Sequence, residues 1–521
     1  MMLNWNTLTR GLICLCLAST IAAAAQTAKI QNPTAADLVS PKVDSWPTYH
    51  GDYTGQRHSP LKQITKSNVG NLSLAWAFQS AQPAGIKSSP LLVDGILYFT
   101  VPDTVWAVDA RSGHLLWKYT YPPNKGQKIG QRGVAIANGT VYTTTPDAHL
   151  VALNAKDGKV RWDVVIADSK KGYWTTNAPL VIGNKILVGP GGDSDNITGY
   201  LRGIDAETGK TLWQWDATPP AGTPNATTGG MMWQTGTYDP KLNLTYWGTG
   251  NPTPVLNGDA RPGDNLYTSS IVALNPDTGK LVWSFQPAPH DTHDWDATEV
   301  TVLVDGEFHG QPHKMLMQAS RNGYFFVLDR ATGKSLLTEP FGPVNWAKGI
   351  DKNGQPIPDP EKDPKPDGRL IAPDEGGETN YRSPSFDRTT GLFLVNAHPS
   401  WSLYFTKPTD GAYGWAGADY GIWGKGVIEA IDYQTGKIRW SKDMGDSGGA
   451  GILTTDAGLA FTGDPHGSIL ALDSSTGKTL WHSGTGASMQ TSPITYELDG
   501  RQYIVTGTGT VLFAWALPEV K

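Results

Sequence analysis

Short stretches of alternating apolar and polar residues run through most of this chain, each stopped by a turn, and one turn phrase recurs. It reads apolar, Asp or Asn, two variable residues, Thr-Gly-Lys in most copies, Leu or Val, and Trp. Clear copies are AVDARSGHLLW ending at Trp117, ALNAKDGKVRW at Trp162, GIDAETGKTLW at Trp213, ALNPDTGKLVW at Trp283, AIDYQTGKIRW at Trp440 and ALDSSTGKTLW at Trp481. Weaker copies lie at 237–247, 327–337 and 385–395. The Asp supplies side-chain acceptors and the Gly a positive φ, so each phrase predicts a β-hairpin with a Trp on its second strand. A period of about 45 residues that holds four short strands is the blade length of a propeller. The expectation is an all-β propeller of seven or eight W-shaped four-stranded blades, eight preferred, with a Trp packed at each joint. No helical periodicity competes.

Composition sharpens this picture. Arg10 precedes an apolar run from Gly11 to Ala25 that ends in small residues, the pattern of a secretory signal. The run falls short of the roughly 20 residues that span a bilayer, and no later stretch is apolar enough, so no transmembrane segment is expected. The predicted organisation is a signal peptide over 1–25, cleaved near Ala25, and one propeller domain over 26–521 exported to the periplasm. Cys14 and Cys16 are the only cysteines, so a mature chain would be stabilised by its core and not by disulfides. The net charge of −6 includes no basic stripe, which disfavours nucleic acid as a partner.

Other chemistry is thin. The 11 histidines show no HExxH spacing, and His290 with His293 lacks an obvious third ligand. Neither a GxSxG elbow nor a dinucleotide fingerprint occurs in its required setting. The chain contains no CxxCH, hence no attached c-type haem. The Pro-, Asp- and Lys-rich stretch 342–375 reads as a solvated surface loop. The aromatic-rich stretch 398–427, with Trp401, Tyr404, Phe405, Tyr413, Trp415, Tyr420 and Trp423, reads either as a lid over the mouth or as an inserted hairpin packed on a blade edge.

Longer segments carry a more specific likeness. WPTYHGDYTGQRHSPLKQITKSNVGNLSLAWAF at 46–78 resembles the opening of the quinoprotein, that is PQQ-dependent, alcohol and methanol dehydrogenases. YWGTGNPTP around Asn251 and RPGDNLYT at 261–268 resemble their metal-site segment. PHDTHDWDA at 289–297 resembles the segment with the catalytic aspartate, and SRNGYFFVLDRATGK at 320–334 the one with a quinone-binding arginine. The resemblance implies oxidation of a small-molecule alcohol or related hydroxyl compound, with PQQ and either Ca²⁺ or a lanthanide. Electrons would pass to a separate acceptor such as a c-type cytochrome.

Position by position, the resemblance implies Asp294 as general base for the alcohol proton, with the quinone as hydride acceptor. It implies Asn251, Asp294 and Asp296 as metal ligands, Asp296 matching the additional carboxylate of lanthanide-using members. Arg132, Thr145, Arg321 and Asn380 match groups that hold the quinone's carboxylates and carbonyls, and Trp233 matches the floor of that site. Two acids at spacing two in an extended chain point to the same side, so Asp294 and Asp296 can share one cation.

Three positions depart from the family. Its adjacent Cys-Cys ring aligns with Gly126 and Gln127. Its quinone-binding glutamate aligns with Lys87, which reverses the charge but can still pair with a quinone carboxylate. Its glutamate metal ligand aligns with Ser194, and the neighbouring Asp193 and Asp195 are one residue off, on the other face of a strand. These departures suit an alternative, a cofactor-empty propeller of the same descent that serves as a binding or assembly scaffold. A propeller that binds saccharide or polyphenol in its aromatic mouth is a third reading.

Overall fold

In the repeat, the turn Asp and the turn Gly do the work expected of them. Asp109 Oδ1 accepts from the backbone N–H of Arg111 and Ser112, and Gly113 adopts a φ of +70°. The Trp of most copies reaches the turn of the next copy. The indole N–H of Trp117 donates to Ala155 O at 2.9 Å, that of Trp213 to Pro276 O at 2.9 Å, and that of Trp440 to Ser474 O at 3.1 Å. The ring lies flat on the turn glycine: a Cβ on Gly279 would sit 2.4 Å from Trp213. Trp76, Trp117, Trp213, Trp283 and Trp440 each make such a joint of one indole, one glycine and one carbonyl, whereas at Gly436 the side chains of Leu337 and Glu339 take the place of the indole. Replacing Trp117 with Phe removes the hydrogen bond and keeps most of the apolar area, so it should cost about 1 kcal/mol, read as a lowered urea midpoint.

The computed structural model describes residues 33–122, 130–192, 197–220, 222–223, 227–407, 414–445 and 449–519. The expected signal segment 1–25, Gly126, Gln127, Ser194, Asp193, Asp195 and Tyr413 lie outside the described residues. Among those described, seven four-stranded sheets and one of five strands follow one another. In chain order they cover 91–120, 135–165, 180–216, 237–285, 302–340, 385–445, 453–484 and 494–516. The last takes its outer strand from Ser73–Gln79, antiparallel to Val511–Ala516, and Trp76 on that strand donates to Ala110 O in the first sheet at 3.1 Å. The ring is thus closed by an N-terminal strand. This is the β-propeller that the repeat predicts, with apolar clusters filling the spaces between successive sheets.

The segment 46–60 crosses the axis. Trp46 exchanges two backbone hydrogen bonds with Leu92 in the first sheet. The carbonyls of Tyr53, Thr54, Gln56 and Arg57 accept from Tyr238, Leu303, Phe386 and Thr454, one inner strand after another. Arg57, 1% exposed, donates to Tyr49 O at 2.6 Å and to Pro493 O at 2.7 Å. The segment 46–60 thereby ties the inner strands together.

One expectation changes here, and of two readings of the aromatic stretch the inserted hairpin is found. The stretch 342–375 is more than a loop: Ala347–Ile350 pairs with Pro356–Pro358, and Arg369–Ile371 joins a further sheet. Pro356 and Pro358 occupy a short peripheral strand, where a missing N–H is tolerated. The aromatic stretch forms the rest of that three-stranded sheet, Ser400–Thr406 with Gly417–Gly424. Tyr404 on its inner side is fully buried beside His293 at 5.2 Å between ring centres, while Tyr420, Ile422 and Trp423 are exposed.

Candidate active site

Each innermost strand is preceded by a lead-in segment, and the lead-ins hydrogen-bond around the ring. Ser89 N–H donates to Arg132 O, Arg132 N–H to Thr176 O, and the Thr176 hydroxyl to Trp233 O, at 2.9, 2.8 and 3.1 Å. On the far side Ile452 N–H donates to Ser383 O and Gly451 N–H to Thr491 O. Lys87, Arg132, Trp233, Asp294, Asp296 and Asn380 all belong to these lead-ins, so the ring itself gathers them at one end of the axis.

Asp294 sits in a loop with a definite support. The Asp291 carboxylate accepts from His293 N–H at 3.2 Å and from Trp295 N–H at 3.0 Å, and Arg261 donates to Asp291 O at 2.5 Å. The Trp295 indole donates to Asp374 O at 2.9 Å. Asp294 itself adopts a φ of +69°. The extended-chain argument for the two acids does not hold, then: a left-handed residue in a braced loop, not strand alternation, aims both at one partner.

That partner is Arg321. Its Nη1 donates to Asp296 Oδ2 at 2.9 Å and its Nη2 to Asp294 Oδ2 at 3.0 Å, with Glu375 Oε1 at 3.4 Å. Asp296 Oδ2 also accepts from the Trp233 indole at 2.8 Å, and Oδ1 from Asn251 N–H at 2.5 Å. Burial, with Asp296 and Glu375 adding repulsion against the pull of Arg321, holds the Asp294 carboxyl well above the usual carboxylate range. Burial raises Asp296 as well, against Arg321. Glu299, buried with neither oxygen hydrogen-bonded, is pushed up to about 8 by burial. A single guanidinium thus faces the carboxyl groups of Asp294, Asp296, Glu375 and Glu299.

The other side of Trp233 is cationic. The Arg132 guanidinium lies 4.7 Å from the Trp233 ring centre and 5.1 Å from that of Tyr381, and it donates to the Thr176 hydroxyl. Arg382 covers Tyr381 at 5.1 Å. The stem of Lys87 packs on Gly130, where a Cβ would come within 2.6 Å of it. Among the described residues no carboxylate lies within ion-pair distance of Lys87, Arg132 or Arg382. The site is therefore polarised, with Trp233 joining an acidic lobe through its N–H to a basic lobe through its ring.

Two of the candidate residues are turned away. The Thr145 hydroxyl donates to Asp147 at 2.6 Å in its own hairpin, and only its carbonyl, accepting from Thr175, reaches the ring. Asn380 bonds Gly376 O and Tyr381 N–H within its own loop. Asn251 meets Asp296 through its backbone N–H while its side-chain amide donates to Pro252 O. Tyr381, Arg382, Glu299 and Glu375 were not singled out from the sequence. Only the NYR run beside Asn380 offered a signal.

The donor set fits two kinds of group. Asn251, Asp294 and Asp296 supply only hard oxygens, which suit Ca²⁺ or a lanthanide, and the acidic lobe has carboxyl groups in excess of cations. Among the described residues no three acids or imidazoles converge closely enough to complete a coordination sphere, so the protein offers part of one. The buried Nε–H groups of Arg132, Arg321 and Arg382 have no acceptor, which fits an anion with several carboxylate or carbonyl oxygens.

A propeller with a polarised, oxygen-rich site at one end of its axis is the class of molecule that seats an anionic cofactor beside a hard cation. The model of the PQQ-type glucose, ethanol and alcohol dehydrogenase β-propeller domain matches residues 46–345 and 420–504, and the chain belongs to this family. It is 35% identical to the quinohemoprotein alcohol dehydrogenase ADH-IIG of Pseudomonas putida over 89% of this chain and 72% of that protein. It is 32% identical to the lanthanide-dependent methanol dehydrogenase of Methylorubrum extorquens over 88% and 86%. The solved structure of the Pseudomonas putida enzyme superposes with a TM-score of 0.86 at 31% identity, covering 94% of this chain and 83% of that one. A europium-containing methanol dehydrogenase superposes with a TM-score of 0.86 at 29% identity, covering 92% and 99%.

Proposed function

We propose that this chain is an exported, periplasmic PQQ-dependent dehydrogenase of an alcohol or related hydroxyl compound, assisted by Ca²⁺ or a lanthanide, with Asp294 as general base. The observation that carries the reading is the polarised site around Trp233: unpaired cations on one side, surplus carboxyl groups on the other. No helix of the described residues is long and apolar enough to cross a membrane, in keeping with export through the N-terminal signal pattern.

PQQ, when bound, supplies the ortho-quinone that accepts the hydride equivalent from the alcohol carbon. Asn251, Asp294 and Asp296 would hold the cation, and Lys87, Arg132 and Arg321 would hold the cofactor's oxygens. Asp294 takes the hydroxyl proton. Burial makes it a stronger proton acceptor than a free carboxylate, and Arg321 opposes that rise. Trp233 fixes Asp296 through its N–H, and the Asp291 brace keeps Asp294 aimed. Electrons would then pass to an acceptor, for which a c-type cytochrome is the natural class. The relative from Thauera butanivorans carries the name 1-butanol dehydrogenase (cytochrome c).

Calorimetric titration with PQQ in Ca²⁺ and then in La³⁺, on wild type and Asp294→Ala, tests this reading. Metal-dependent binding that weakens in the variant supports it. Arg321 already bridges both acids, an arrangement that favours the alternative of a cofactor-empty scaffold. Absence of PQQ binding with either cation selects that alternative.

A further inference from the structure

Arg382 has no counterpart among the residues that the family resemblance assigns, yet it shares an aromatic ring with Arg132 in the basic lobe. Its guanidinium rests on one aromatic ring, Tyr381, at 5.1 Å, and the same ring is also contacted by Arg132 at 5.1 Å. Arg132 and Tyr381 come from the second and sixth sheets, four places apart around the ring, so their contact spans the axis. Gln234 from the fourth sheet holds this arrangement by donating to Tyr381 O at 2.9 Å. Two guanidinium groups are thereby fixed about one ring, each with a buried Nε–H that has no acceptor.

Like charges brought together without a counterion are costly, and the cation–π contacts with Tyr381 and Trp233 offset only part of that cost. No carboxylate of the described residues neutralises either arginine. The arrangement calls for an external anion with more than one carboxylate. PQQ is a tricarboxylate, and Lys87, Arg132 and Arg382 supply three cations.

We propose that Arg382 is a specificity-determining residue of the cofactor site, its planar fork taking a carboxylate of PQQ while Tyr381 fixes its plane. The inference rests on the PQQ reading above and adds to it a residue and a chemical rule: this site selects its cofactor by carboxylate charge. Lys87, which stands where the family has a glutamate, packs its stem on Gly130, two residues from Arg132, and adds a further positive charge.

Calorimetric titration of the full mature chain, saturated with Ca²⁺ or La³⁺, would compare PQQ with its trimethyl ester on wild type, Arg382→Gln and Arg382→Lys. Thermal melting confirms that each variant is folded. Arg382→Gln should weaken PQQ binding about tenfold or more, as expected for loss of a charge-assisted pair. Arg382→Lys, which keeps the charge and loses the fork, should fall between the two. The ester should bind wild type less tightly than PQQ and should not distinguish wild type from Arg382→Gln. Wild-type affinity for PQQ in Arg382→Gln, or equal affinity of wild type for acid and ester, would overturn the inference while leaving the PQQ reading intact. Failure of wild type to bind either compound would remove both.

Discussion

Asp294→Asn should lower kcat/KM for alcohol oxidation about 10³-fold, measured with an artificial electron acceptor on protein reconstituted with PQQ and a cation. The amide keeps the size of the side chain and can still accept from Arg321, so the loop need not move. What it loses is the capacity to take a proton. The same variant should lose the ascending limb of the pH profile, which a purely structural defect would not remove. A fall of less than tenfold with an unchanged pH profile would assign the base to another group, and Glu299, buried and unpartnered nearby, would be examined next.

Arg321→Met should destabilise the folded protein by about 3–5 kcal/mol near pH 8, because it removes the one cation that, among the described residues, faces the acidic lobe. The sign of the pH dependence follows from the direction of the shifts. Burial already raises Asp294, Asp296 and Glu299, and without Arg321 their folded-state values rise further. A carboxyl group whose folded value is raised contributes stability below its unfolded value, and that contribution is lost as pH rises through the folded value. The deficit of Arg321→Met should therefore be large at pH 8 and small at pH 5. Added La³⁺ should restore part of it at pH 8 if the acids can hold a cation. Urea midpoints at the two pH values, with and without the ion, read all of this. A deficit independent of pH would mean that Arg321 acts through packing alone.

The joints of the propeller were legible because everything they need is written within one turn phrase and its successor. Asp109 caps its own turn, Gly113 adopts its own positive φ, and the Trp repeats with the phrase. The segment 46–60 was legible as a family signature and silent as structure. Arg57 meets Pro493 across 436 positions, and no local pattern encodes such a partner. At the site, the segments around Asp294 and Arg321 are legible as family signatures, but strand alternation does not pair Asp294 with Asp296. A residue with φ +69° breaks the alternation. Tyr381 and Arg382 were passed over because their significance arises only when the second and sixth sheets face each other. Thr145 and Asn380, matched by position, spend their side chains locally.

The strand Ser73–Gln79 imposes an order of events on the newborn chain. It forms the outer edge of a sheet whose other three strands, 494–516, are synthesised last. Until those emerge it has no place to dock, and the crossing segment 46–60 likewise waits for Thr454 and Pro493. Pairings this distant in sequence form slowly. These segments are thus made well before the strands they need and settle late, and a molecule cut short before residue 494 would leave Ser73–Gln79 without its sheet.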